Sequence, residues 1–124
     1  MRIAYTIGFV IMAAAVGVAA CGGDEGSGVD RGKRVTALTA DERRDVCEWS
    51  TAELGGEGHT TQCGDTTFKV EPASECIEDS ANYPASCTLT VGQLEDCTAA
   101  MAAAPCTGLA SPACAPIFNC IGEE

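Results

Sequence analysis

Nine cysteines stand in this chain of 124 residues. Eight of them, Cys47, Cys63, Cys76, Cys87, Cys97, Cys106, Cys114 and Cys120, lie in its C-terminal part, and Cys21 stands apart near the front. Thiols can exchange electrons, hold a metal or close into disulfides, and spacing decides among these. A thiol-exchange site depends on a close pair with one lowered pKa, and no C-x-x-C occurs. Structural zinc sites use ligand pairs spaced C-x₂₋₄-C, whereas the closest pair here, Cys114 and Cys120, has five residues between its members. His59 is the only histidine and sits in GGEGHTTQ, a stretch without apolar residues that reads as surface loop. A serine nucleophile would need that histidine, an orienting acid and an elbow such as G-x-S-x-G, which is absent. No catalytic residue, metal ligand or cofactor is therefore expected. The eight cysteines are expected to form four structural disulfides, whose connectivity the spacing leaves open.

Cys21 has a different setting. Met1-Arg2 precedes an uncharged apolar stretch over residues 3–18, followed by small residues. A basic start, an apolar core and a small-residue cut site define a secretory signal. The stretch falls short of the roughly 20 apolar residues of a membrane span, and Gly22-Gly23-Asp24-Glu25 cannot continue it. Val18-Ala19-Ala20-Cys21 resembles the lipobox of bacterial lipoproteins. That resemblance implies a diacylglyceryl thioether on Cys21, cleavage before it and a further acyl chain such as palmitate on the new amino terminus. Two or more chains hold a protein stably in a bilayer where one does not. An ordinary signal peptidase cut at the same bond is the alternative, but cysteine parity favours lipidation: setting Cys21 aside leaves an even eight, as closed pairs require. Gly22 follows Cys21 where inner-membrane lipoproteins of double-membrane bacteria carry aspartate, so the resemblance implies the outer membrane.

From Cys21 onward, Val, Ile, Leu and Phe supply only 15 of 104 residues, and 18 acidic residues face six basic ones. A chain so poor in large apolar groups and so charged sits in the composition range of disorder. Disulfides reverse that expectation by lowering the entropy of the unfolded chain, typically by about 2–4 kcal/mol each, and they persist in an exported compartment. The negative balance argues against nucleic acid and against electrostatic adhesion to anionic lipid.

The elements follow from local signals. Residues 1–20 read as signal peptide and residues 21–37 as lipidated cysteine and flexible Gly-rich tether, with Arg31, Lys33 and Arg34 as a solvated basic cluster. Residues 38–124 read as the cysteine-rich domain. Thr39-Ala40-Asp41-Glu42 fits a capping box that opens a first helix ending at Gly55-Gly56. Residues 55–67 read as a polar loop and residues 66–70 as a short strand. Pro72 suits the first turn of a second helix, with Ala73, Cys76, Ile77 and Ser80 inward and Glu71, Glu75, Glu78 and Asp79 on an outward solvated face. Tyr83-Pro84 breaks it, and residues 87–90 read as a second strand. Thr90 to Gln93 opens a third helix to about Ala103, with Leu94, Cys97 and Met101 inward. The proline-punctuated tail is expected to be turn-rich, with Ile117 and Phe118 plugging the core. Trp49, Tyr83 and Phe68 are expected inside as well. The fold class is small, disulfide-rich and mainly α, with about three helices, short extended segments and a turn-rich C-terminal part.

These readings together point to a non-enzymatic, lipid-anchored cell-envelope protein. Its domain would structure or bind something at an exported surface, with the membrane and an envelope protein as partners and no nucleic acid. The alternative is an exported protease inhibitor-like or enzyme-regulating domain acting through loop 55–67.

Overall fold

The structure, a computed structural model, describes residues 26–121. Helix α1 (Ala40–Glu53) starts where its cap dictates: Thr39 Oγ1 accepts the Glu42 N–H at 3.2 Å, and the Glu42 carboxylate accepts the Thr39 N–H at 3.0 Å. Two orphan donors are thereby satisfied at once. The helix ends in glycines at positive φ, Gly55 at +113° and Gly56 at +94°. The Gly56 N–H folds back to the Thr51 carbonyl, as a left-handed C-terminal cap requires.

The Glu42 carboxylate also accepts from Lys33 Nζ at 2.6 Å. That ammonium first, and the Thr39 amide second, hold its pKa at about 2, well below the usual carboxylate range. A depressed folded pKa stabilises the fold above the unfolded value near 4.3 and loses that contribution as pH falls toward the folded value. In acid titrations, wild type is therefore expected to lose more stability between about pH 4.5 and pH 2 than Glu42→Gln. Parallel curves for the two proteins would refute the assignment.

Strands β1 (Thr60–Cys63) and β2 (Thr66–Lys69) pair antiparallel, with Thr60 opposite Lys69 and Cys63 opposite Thr66. Gly64, at φ +64°, starts the two-residue turn, a position where side chains are disfavoured. Helix α2 (Ala73–Ala81) follows Pro72, which is its N-cap rather than its first turn. Helix α3 (Val91–Ala103) opens on a second capping box, with Thr90 and Gln93 in the two roles. Two 3-10 turns, Gly108–Ala110 and Pro112–Cys114, lead into helix α4 (Ala115–Ile121).

The core is small. Val35, Leu38, Val46, Leu89 and Val91 pack around the Cys87–Cys120 bridge, with Val29, Tyr83, Leu94 and Ile117 half-buried against them. The mainly helical, disulfide-rich class expected from the sequence is what the chain adopts, with four helices instead of three.

Several expectations need correction. From Gly26 on, the supposed tether belongs to the folded unit. Val35 is 1% exposed, its N–H bonds the Leu89 carbonyl, and the Val91 N–H bonds the Lys33 carbonyl. The domain thus starts well before Leu38, because Val35 is one of the few large apolar side chains and the core takes it. Residues 87–90 pair with this strap, residues 26–37, through a single bridge, Arg34 to Thr90, and do not form a regular strand. Loop 55–67 contains a strand of its own, β1. Phe118 is 45% and Phe68 36% exposed, so neither plugs the interior, whereas Trp49 and Tyr83 are half-buried.

Candidate functional site

The eight cysteines close as Cys47–Cys76, Cys63–Cys106, Cys87–Cys120 and Cys97–Cys114. Each bridge fastens a different pair of elements. Cys47–Cys76 joins α1 to α2, and Cys97–Cys114 joins α3 to the second 3-10 turn. Cys87–Cys120 ties the segment before α3 to α4. Cys63–Cys106 secures the hairpin to the chain beyond α3. Exposure grades them. Cys97 and Cys114 are fully buried and Cys87 and Cys120 nearly so, whereas Cys63 is half-buried and Cys106 exposed. The inner-face positions of Cys47, Cys76 and Cys97 follow from helical spacing, and Cys47 and Cys97 are indeed buried. Cys21 lies outside the described residues, as do the signal stretch and Gly22.

Among the described residues Glu95 is the buried charged side chain, at 3% exposure on α3. Its Oε1 accepts the Ser27 N–H at 2.8 Å and the Ser27 hydroxyl at 2.7 Å, and its Oε2 accepts Arg31 Nη1 at 2.7 Å. Arg31 Nη2 reaches Asp96 Oδ1 at 2.8 Å and the Gly92 carbonyl at 3.2 Å. Asp96 and then Glu95 raise the guanidinium pKa above its ordinary value. Hydrogen bonds to a charged carboxylate are short and strong. Glu95 thereby clamps the strap. Within the basic cluster, Arg31 and Lys33 are paired with carboxylates, while Arg31 and Arg34 remain exposed to solvent. Sequence reading missed Glu95, although its position beside Leu94 and four residues after Val91 places it on the inward stripe.

His59 is exposed beside Gly55. Glu71, Glu75, Glu78 and Asp79 are all exposed, as an outward face should be. A hydrogen bond with the Glu71 side chain raises the Glu75 pKa, and the charges of Glu71, Asp79 and Glu78 add to it. Among the described residues, no group of three or more His, Cys, Asp or Glu is arranged to hold a metal, and no helix is long and apolar enough to cross a membrane.

One recess combines apolar walls with charge. It lies between α1 and α2, has a volume of about 230 Å³, and is bordered by Arg43, Ser50, Asp79 and Tyr83 over an apolar floor. Sequence reading overlooked Arg43, yet Arg43, Val46, Cys47 and Ser50 form one i, i+3, i+4, i+7 stripe. Tyr83 sits at the rim, its pKa raised by burial and then by Asp79. Its phenol is therefore a neutral donor at physiological pH. No family model matches the chain, and no curated protein or solved structure is significantly similar to it.

Proposed function

We propose that this chain is an exported, lipid-anchored protein of the bacterial cell envelope, held at the outer membrane through Cys21, whose domain binds rather than catalyses. The observation that carries the reading is the closure of all eight cysteines of residues 26–121 into four bridges. The ninth thiol is left over at the end of VAAC, where a lipid-transfer reaction would consume it. Disulfides on this scale suit an oxidising, exported setting. The engagement of Glu95 by Ser27 and Arg31 supports a structural role for that carboxylate.

Intact-mass and peptide analysis of the processed protein tests the anchor. The expected product begins at Cys21 with added acyl mass and has no free thiols. Cys21→Ser is expected to move the protein from the membrane fraction to the soluble one. An unmodified Cys21 on the mature protein would overturn the anchor.

A further inference from the structure

The hairpin of β1 and β2 is held to the domain at its two ends. At the base the chain itself holds it: the ladder continues through the Gly58 N–H to the Val70 carbonyl and the Val70 N–H to the His59 carbonyl, and Val70 is buried. Near the turn the Cys63–Cys106 bridge ties it to the chain beyond α3, with Cα atoms 5.4 Å apart. Between these points packing contributes little. No side chain of β1 or β2 belongs to the core cluster or packs against it, and the side-chain hydrogen bonds of Gln62 and Thr67 stay inside the hairpin. Phe68 and Lys69 nevertheless form one wall of a recess of about 250 Å³ whose other walls come from α1 and α2. The bridge fixes that wall in place.

Disulfide exchange begins when a thiolate attacks one sulfur, so access and local charge select the target. Cys106 is the exposed member of the eight, and residues 97–121 around it carry no charge in a chain whose net charge is −11. Its partner Cys63 is half-buried, with Asp65 two residues away. Cys76 is also half-buried, but Glu75, Glu78 and Asp79 stand beside it on α2, all exposed. Like charge repels an approaching thiolate there. Cys47, Cys87, Cys97, Cys114 and Cys120 are buried. Access and charge therefore converge on one sulfur, Cys106 Sγ.

We propose that Cys63–Cys106 is a reversible latch worked by a dithiol protein, with Cys106 as the point of attack. The partner's thiolate bonds to Cys106 Sγ and the Cys63 sulfur leaves as thiolate. The partner's second thiol then attacks its own sulfur in the mixed disulfide and releases Cys106. Two electrons pass to this chain, the partner ends as a disulfide, and its two protons end on Cys63 and Cys106. The reverse exchange with a disulfide partner closes the latch. A two-stranded hairpin alone is marginal in water, so the opened hairpin frays and the recess loses its Phe68–Lys69 wall, while the other three bridges keep the helical body. The inference goes beyond the binding reading and does not depend on the lipid on Cys21.

Trapping tests it. The processed, disulfide-closed protein is mixed with a thioredoxin whose resolving cysteine is replaced by serine, and the adduct is mapped. A one-to-one mixed disulfide at Cys106 is expected, with Cys63 as the new free thiol and the other six cysteines closed. Trypsin reads the latch itself, because Lys69 is the one lysine or arginine after Arg44, and in the closed form its backbone is paired opposite Thr60. Cleavage after Lys69 is expected to be at least about tenfold faster in the adduct than in the closed protein. A variant carrying Cys63→Ser and Cys106→Ser is expected to cut as fast without any thiol and to keep a native near-ultraviolet circular dichroism spectrum. The proposal is overturned by an adduct at Cys63 or Cys76, by no adduct, by unchanged cleavage after Lys69, or by an unfolded double variant. The Cys21→Ser form is expected to give the same adduct, so a failed anchor and a failed latch give separate readings.

Discussion

Under a mild thiol reductant without denaturant, Cys63–Cys106 is expected to open first and Cys97–Cys114 among the last. Thiol exchange needs access to a sulfur. Cys106 is exposed, whereas Cys97 and Cys114 show no exposed surface. The hairpin that Cys63 holds is itself nearly all surface, with every residue of β2 exposed. Opening this bridge should therefore free the hairpin while the helical body persists. Loss of all four bridges is a different matter. At about 3 kcal/mol each, they supply an amount comparable to the whole stability of an ordinary domain, about 5–15 kcal/mol. The fully reduced chain is expected to be unfolded at 25 °C, as its composition in large apolar residues demands. Timed alkylation with peptide mapping gives the order of opening, and near-ultraviolet circular dichroism gives the fold. Alkylation of Cys97 before Cys106, or a native spectrum with eight free thiols, would refute the scheme.

Gly108→Ala is expected to destabilise the domain by about 3 kcal/mol, near the top of the range for overpacking. Gly108 is buried where the first 3-10 turn crosses the end of α3. A methyl group there would run into the Ala100 carbonyl oxygen and the Met101 Cα, both of them backbone atoms of α3. Backbone of a helix pinned at Cys97 cannot move aside as a side-chain tip could. The Gly108 N–H also bonds the Ala104 carbonyl at 2.6 Å, which holds the approach close. A thermal melt should fall by about 10 °C or more, whereas Ala110→Ser, at an exposed neighbouring position, should change little. A Gly108→Ala melt within about 2 °C of wild type would show that the turn has slack.

Much of the helical framework was legible because its signals are local. Thr39 with Glu42, and Thr90 with Gln93, fix two helix starts within four residues each, and Gly55-Gly56 and Pro105 mark the ends. The strap was not legible. Residues 26–37 contain glycine, aspartate and three basic residues, the composition of a linker. Their fold depends on Glu95, some sixty residues away, and on the demand of a small core for Val35. The hairpin was half legible: Thr66 to Lys69 reads as strand, but β1 is polar throughout and owes its existence to pairing and to the bridge at Cys63. The misplacement of Phe118 has a related cause. In α4 it is Ile117 and Cys120 that meet the core, and Phe118 falls on the outer side. In the recess between α1 and α2, Arg43 is hard to read from sequence because a charged residue on an inward stripe looks like an interruption of it.

The strap has a geometric corollary for a lipid-bound chain. Only residues 22–25 separate Cys21 from the folded Gly26, and at 3.3–3.6 Å per residue that leash extends no more than about 17 Å. A hundred-residue globule has a radius of gyration of about 13 Å, so its full width exceeds the gap. No second folded body of similar size could slip beneath this one. Whatever meets it would have to come from the side or from above.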